Sequence, residues 1–424
     1  MVKVAAARLQ FKDQAVKLHQ KLVGLASVID SEGGRLYAVG GWVRDNLLGR
    51  DSSDVDCEVH GLEPDHLEQI LNRYGAVNRV GKSFGVYKWI SDSVSADISH
   101  AVGEGESVKG HEVDRLQWAL NRRDFRCNAL LYDPLQGGVI DRVEGRQDIK
   151  ERRLRAVCPE RFGEDSLRGL RGPRFESTLN FVLDEEARGL CAAQDVSELP
   201  GERIWGELSR LLLGKAPGRG WVCLQELGLL RQLFADSEGL HDPELGVILD
   251  RAQGRLHQEP PASRLAVQLT LLTRSLSESQ REEWFQRLKL DHFEGVSLRR
   301  VVAALHRWRV DFAGNSGIPS DRALRVLADQ CPVRWGLQVW SCLEVEADFD
   351  RAWSQAVALK VDRGALPVLL SGQDLIERGL SPGPLVGQLL AEARMHQQDG
   401  VFSDRAAALE WLNERIFREK KRPS

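Results

Sequence analysis

The sequence holds no C-x-x-C pair: its seven cysteines, at 57, 127, 158, 191, 223, 331 and 342, are odd in number and widely scattered. That pattern argues against a disulfide framework and against a structural zinc site, and it fits a reducing cytosol. No run of about 18 apolar residues occurs, so no membrane span is expected. The opening stretch MVKVAAARLQFKDQ reaches charge too early for a secretory leader, and the chain is expected to work in the cytoplasm. A global excess of positive charge is also missing, the formal net charge being −4 over 424 residues. Any grip on a polyanion must therefore be local. Low-complexity tracts and clean repeats are absent. The lone His-Asp pair, His241-Asp242, has no partner histidines to complete a phosphohydrolase metal set and reads as a cap or loop. What remains is an ordinary soluble composition, 42% hydrophobic, long enough for two to four domains.

Helical spacing of Leu18, Leu22, Leu25 and Ile29 predicts a helix over 14–29. Strands are expected at 35–39, 54–59, 85–90, 95–98, 128–132 and 139–140. Beyond about residue 150 nearly every segment has helical periodicity, punctuated by Pro and Gly at 217–220, 260–261, 314–319 and 381–384. The expected architecture is an α+β head over 1–150 followed by elongated all-α parts: a neck over 151–215, a body over 216–360 and a tail over 361–424. The many tryptophans of the helical half are expected in its core and helix contacts.

The chemistry concentrates in GRDSSDVDCEV (49–59). Strand alternation points Val55, Cys57 and Val59 inward and puts Asp54, Asp56 and Glu58 on the opposite face. Asp54 and Asp56 have Cα atoms roughly 6.6 Å apart, close enough to share a pair of Mg²⁺ ions in phosphoryl transfer. Glu58 lies farther along and is not expected to join them. Taken alone, D-x-D is more often a solvated strand face. Upstream, Gly40-Gly41 precedes a helix start, where glycine lets backbone approach a ligand and the helix terminus favours phosphate.

Strand, Gly-Gly, helix with Arg44-Asp45, then strand with D-x-D resembles the nucleotidyltransferase superfamily that includes DNA polymerase β. More narrowly, GGWVRD (40–45) and DVD (54–56) are similar to the first motif of bacterial CCA-adding enzymes and poly(A) polymerases. The resemblance implies a polymerase β-like head, with Asp54 and Asp56 as catalytic metal holders and Gly40, Gly41 and Arg44 shaping the triphosphate site. Asp97 is either a third carboxylate or a surface acid. RRDFRCNA (122–129) resembles the family's second motif, with Arg126 where the family usually has Thr. By that resemblance Arg123, Asp124 and Asn128 bind the phosphates and ribose of the incoming nucleotide.

EDSLR (164–168) is expected on a helix, where i,i+3 and i,i+4 spacing lets Glu164, Asp165 and Arg168 share a face. In isolation this is a surface ion-pair cluster. It also allows Asp165 to accept from the exocyclic amine that C and A both carry, while Arg168 donates to the neighbouring ring nitrogen, imitating a base-pairing partner. The stretch 164–175 resembles the family's base-reading motif, which implies Asp165 and Arg168 as readers and Glu164 as the residue orienting Arg168. Pro173 departs from the family's unbroken helix and is expected to kink or loosen it. GKSFGVY (81–87), GERIWGEL (201–208) and the 369–390 segment resemble further family motifs, the last its tail.

Between 142 and 174 ten positive and six negative side chains leave a local net charge of about +4, the asymmetry an acidic chain needs to hold a phosphate backbone. Arg171 and Arg174 are the expected RNA contacts there, and the basic run from Arg418 to Arg422 adds charge at the C-terminal end. The implied activity is template-independent addition of CCA to the tRNA 3′ end from CTP and ATP with Mg²⁺, without a membrane or obligate protein partner. CC-only or A-only addition and poly(A) synthesis share these motifs. The loop between Asp97 and Asn121 is where the first of these would diverge. An inactive RNA-binding protein is the reading from a different class.

Overall fold

The computed structural model describes residues 13–420 apart from 51, 53, 81–85, 93, 101–111, 235–237, 313–317 and 345–346. The first five residues of the GKSFGVY motif, the middle of the 97–121 loop and the last basic residues, Lys421 and Arg422, lie outside the described set. Contacts divide the chain into two compact units, Met1–Leu199 with Glu226–Leu229, and Pro200–Gln225 with Leu230–Ser424.

The first unit is built on a seven-stranded sheet. Its strands are β1 (Arg35–Val39), β2 (Val55–His60), β3 (Ala76–Val80), β4 (Val86–Ser91), β5 (Val94–His100), β6 (Leu131–Asp133) and β7 (Gly138–Ile140), in the spatial order β3-β4-β5-β2-β1-β6-β7. All neighbours pair antiparallel except β2 and β5. Helix α1 (Asp13–Ser31) packs on β1 and β5 and buries the expected leucine stripe, Leu22 and Ile29 completely. Two short helices, α2 (Gly41–Leu47) and α3 (Pro64–Tyr74), follow β1 and β2, and α4 (Glu112–Asn121) precedes β6.

The sequence pattern misses β3, an edge strand whose AVNRV stretch has too few apolar positions to mark an inner face. It also places too much of 128–132 in a strand: 126–128 form a 3₁₀ turn, and pairing starts only at Leu131. After α5 (Gly145–Glu151) the unit continues through α6 (Arg168–Leu179) and α7 (Glu185–Ala192). Beyond residue 150 the described strands are two-residue pairs: 153–154 with 182–183, and 292–293 with 296–297.

The second unit is helical apart from that last hairpin. Trp221, Trp284, Trp308 and Trp340 are all at most 3% exposed, so these tryptophans are core residues, as expected. His241 closes a 3₁₀ turn, and Asp242 accepts from the Glu244 N–H at 2.8 Å and pairs with Arg274. The 369–390 motif folds as a capped turn of helix: the Ser371 hydroxyl and N–H both donate to Asp374 Oδ2 at 2.8 Å. Pro384 then opens a helix running to Asp399. Leu370, Leu375, Leu389, Phe402, Leu412 and Ile416 form a hydrophobic cluster of their own there. Among the described residues no helix is long and apolar enough to cross a membrane.

Candidate active site

The strand alternation read from the sequence holds. Val55, Cys57 and Val59 are at most 1% exposed, while Asp54 and Asp56 are exposed and Glu58 half-buried. Register then adds what spacing could not supply. Asp56 lies directly between Val39 on β1 and Asp97 on β5. Because β2 and β5 run parallel, equivalent side chains emerge side by side on one face. Asp97 is half-buried and sits next to the pair rather than elsewhere on the surface. Although the Asp56 side chain reaches solvent, the protein crowded around its carboxyl partly desolvates it and pushes it above its ordinary value. Repulsion from Asp54, Asp97 and Glu58 adds to this, and Arg123 opposes it. Neighbouring like charges of this kind are relieved by a cation.

Among the described residues no three His, Cys, Asp or Glu side chains close a metal cage. Magnesium does not need one. It is commonly held by one or two carboxylates, with substrate phosphates and water filling the remaining octahedral positions. Two exposed aspartates with a third alongside match that donor set.

The wall opposite the acids is basic. β1 ends at Val39, and Gly40 turns the chain with φ of +70°, a conformation that favours glycine. A Cβ placed on Gly40 would come within 3.2 Å of Arg123 Nη1, and one on Gly41 within 3.5 Å of Arg44 Nη2. The glycine pair thus lies directly under two guanidinium groups. Arg123 is held in place by Glu58, and His60 Nε2 lies 3.6 Å from the same carboxylate. Burial pushes the Glu58 carboxyl up, but Arg123 and His60 outweigh it and bring it down to about 2. Glu58 therefore acts at this site as an anchor, a role its distance from the metal pair concealed.

A depressed folded-state value stabilises the fold above the unfolded carboxylate range and loses that stability as pH falls toward it. The contribution of Glu58 is therefore complete above about pH 4.5 and disappears on the way to pH 2, amounting to at most about 3 kcal/mol. Urea unfolding at pH 6 and pH 3 should show a smaller pH-dependent loss in Glu58→Gln than in the unaltered protein. An identical loss would remove Glu58 from the set of coupled groups.

Behind the basic wall runs a buried network. Asp124 Oδ1 accepts from the Phe125 N–H at 2.6 Å and from Asn128 Nδ2 at 3.0 Å, and Oδ2 lies 2.9 Å from Arg171 Nε. Asn128 Oδ1 in turn accepts from Arg44, whose other nitrogens reach both oxygens of Asp45 at 3.0 Å. Burial pushes the Asp124 carboxyl up, but Arg171, the Asn128 amide, the Phe125 N–H and Arg174 hold it below its usual range. Arg174 stacks 3.8 Å from the centroid of the Phe175 ring, and Arg44 lies 5.4 Å from the same ring. In the set expected to meet phosphate and ribose, the Arg123 side chain is 21% exposed, against 9% for Arg44 and 3% for Asp124. Asn128 is equally enclosed at 5%. Asp124 and Asn128 face protein partners here, not an open cleft.

The expected base-reading helix starts later than the spacing suggests. Residues 159–164 form a 3₁₀ segment, Asp165 is extended, and α6 begins only at Arg168. The Asp165 side chain accepts from the Leu167 N–H at 3.1 Å and its carbonyl accepts from the Arg168 N–H at 3.0 Å. Such local Asp bonds compete with helix and delay its start. The shared helical face of Glu164, Asp165 and Arg168 therefore does not exist. Glu164 pairs with Arg161 at 2.6 Å and lies 3.9 Å from Arg122. Arg168 is 6% exposed and donates to main-chain carbonyls: Nη1 to Arg161 at 2.6 Å and Phe162 at 3.3 Å, and Nη2 to Arg122.

Pro173, expected to kink or loosen the helix, lies inside α6. α6 runs uninterrupted from Arg168 to Leu179. Two close approaches pin the helix on either side of the lost Gly169–Pro173 bond: a Cβ on Gly169 would meet Gln194 Cβ at 2.9 Å, and one on Gly172 would meet Cys191 Sγ at 2.9 Å. Arg126, the departure from the usual motif, donates to the Ala156 carbonyl at 3.2 Å and lies 3.4 Å from Glu144. It ties the turn at 126–128 to the segment leading toward α6.

Residues 36–155 match the family described as Poly A polymerase head domain, and residues 191–241 the one described as Probable RNA and SrmB- binding site of polymerase A. The chain is 27% identical over 409 residues to a CCA-adding enzyme of Levilactobacillus brevis, covering 90% of this chain and 94% of that protein. It is 30% identical over 304 residues to a Multifunctional CCA protein of Pseudomonas syringae pv. syringae, covering 65% and 71%. Among solved structures, a Bacillus stearothermophilus CCA-adding enzyme in complex with CTP shares the fold with a TM-score of 0.77 at 22% identity, covering 97% of this chain and 100% of that one.

Proposed function

The chain belongs to the family of CCA-adding enzymes and poly(A) polymerases, and from that membership we propose that it adds CCA to the 3′ end of tRNA from CTP and ATP without a nucleic-acid template. The observation that carries this reading is the end of the sheet, where Asp54, Asp56 and Asp97 face a glycine turn lying under Arg44 and Arg123. Acids for a metal and cations for a polyphosphate meet there within one register position.

Asp54 and Asp56, with Asp97 beside them, would hold Mg²⁺. When bound, magnesium supplies charge neutralisation at the attacking and leaving oxygens of an in-line displacement. Arg123, clamped by Glu58, meets the triphosphate as a fixed fork and aligns the α-phosphate with the tRNA 3′ hydroxyl. Gly40 and Gly41 let the phosphates approach the backbone. Arg44, Asp124 and Asn128 hold the floor on which Arg123 and the ribose rest. Asp165 and Arg168 read the base edge, with Glu164 acting on Arg168 through its neighbours. Arg171 and Arg174 are half-exposed on α6, where they anchor the helix and supply positive charge to the RNA. The helical remainder holds the tRNA by shape and backbone.

The test incubates the full chain, Mg²⁺, CTP and ATP with tRNAs ending before the first C, after the second C and after the final A. Sequencing should show the first two completed to CCA and the third unchanged. Stopping at CC, extending only the second substrate, or adding long A tracts would each replace this reading with the corresponding partial enzyme or poly(A) polymerase. No addition at all would favour an RNA-binding role.

A further inference from the structure

We infer that Trp118 is a positioning residue for Arg168, one that sets base selection from outside the motifs of the site. The inference rests on the reading of Arg168 as a base reader.

Trp118 lies on α4 and is only half-buried. It differs in this from the core tryptophans of the same unit, Trp42 and Trp89, which are 1% exposed. Its neighbours are also of another kind. The guanidinium carbon of Arg122 is 4.9 Å from the Trp118 ring centroid and that of Arg161 is 5.7 Å from it. Glu164 joins both arginines, at 3.9 Å and 2.6 Å. The ring is therefore the common seat of two cations, not a piece of core.

Those two arginines have a second property in common. The main-chain carbonyls of Arg122 and Arg161 are two of the three that accept from the Arg168 guanidinium; the third is Phe162, next to Arg161. Three carbonyls around a planar fork fix its plane. The position of that plane is set by where the segments at 122 and 161–162 hold their oxygens. Across the cage they are tied to each other by Trp118 and by Glu164. The ion pairs of Glu164 are partly exposed and weak by themselves. The aromatic face supplies the stacking that holds both guanidinium groups in one place. Removing it leaves Arg168 in place but frees its cage. A base reader discriminates by hydrogen-bond alignment, so a loosened cage should cost selection more than rate.

The experiment uses the full chain with Mg²⁺ and a tRNA lacking CCA, and measures kcat/KM for CTP and UTP in Trp118→Leu, Trp118→Phe and Arg168→Ala. Trp118→Leu is expected to lower the CTP to UTP ratio roughly tenfold (~1.4 kcal/mol), mainly through the KM for CTP. Trp118→Phe, which keeps an aromatic face, should retain most of the ratio. Arg168→Ala should lose selection outright. If Arg168→Ala loses selection and Trp118→Leu does not, or if Trp118→Leu slows CTP and UTP equally, the positioning role is overturned. If Arg168→Ala itself leaves the ratio unchanged, the base-reading assignment fails first and takes this inference with it. Should Trp118→Leu not fold, Arg161→Met decides in its place. It keeps the carbonyl and removes the stacked cation, and an unchanged ratio there also overturns the proposal.

Discussion

Asp56→Asn is expected to stop nucleotide addition while making the metal-free protein more resistant to heat. The loss of rate should be at least about 10³-fold, or ~4 kcal/mol of transition-state stabilisation. The gain follows from the raised Asp56 carboxyl value, caused by burial and by Asp54, Asp97 and Glu58. A group whose folded-state value is raised is penalised whenever it is ionised in the fold. At neutral pH that penalty is fully present, and it fades as pH falls through the folded value. Asparagine keeps the shape and removes the charge, so the melting temperature in a chelator should rise slightly at pH 7, solvent at the exposed carboxyl screening most of the repulsion, and the difference should shrink in acid. Binding of tRNA should be little changed if the duplex is held, as proposed, by α6 and the helical remainder. Retained turnover would remove Asp56 from the metal site, and a lower melting temperature would mean the crowding of carboxylates is not felt as repulsion.

The largest effect on stability is expected at Asp124. Its carboxylate is 3% exposed and compensates Arg171, while accepting from the Asn128 amide and the Phe125 N–H. Asp124→Ala takes a charge partner from the half-exposed Arg171 and leaves the Asn128 amide and the buried Phe125 N–H without this acceptor, and each buried group left unsatisfied typically costs about 1–3 kcal/mol. Calorimetry should show the sheet-bearing unit melting roughly 4–24 °C lower. Activity should fall with it even below the transition, since Asn128 then no longer holds Arg44 against the glycine turn. A loss under about 1 kcal/mol would show that water or a neighbouring side chain replaces the carboxylate, and that the network is not the scaffold of the basic wall.

The acidic face of β2 could be read directly because alternation is a local property, fixed by the strand itself. So could the turn at Gly40-Gly41 and the leucine stripe of α1. Asp97 was undecidable because its role depends on which strand pairs with β2, and parallel pairing across a 40-residue interval leaves no local trace. The misplaced start of α6 has a different cause. The E-D-x-x-R spacing suits a helix, but Asp165 bonds its own backbone and holds the chain in a turn. Pro173 sits inside α6 without interrupting it, in a stretch where Gly169 and Gly172 pack closely on Gln194 and Cys191. Glu58 and Trp118 stayed hidden because their partners, Arg123 and Arg161, come from distant segments. In each case the missing information is tertiary.

The parallel pairing of β2 with β5 is the sole departure from an otherwise antiparallel sheet. It is also a seam. On one side lie β2, β1, β6 and β7, and on the other the continuous β3–β4–β5 meander. The carboxylate cluster straddles this joint, with two members on one piece and one on the other. A slip of a single residue along it would turn Asp97 to the far side of the sheet without altering the amount of strand. The placing of Asp97 beside Asp56 therefore rests on the register of this one parallel joint.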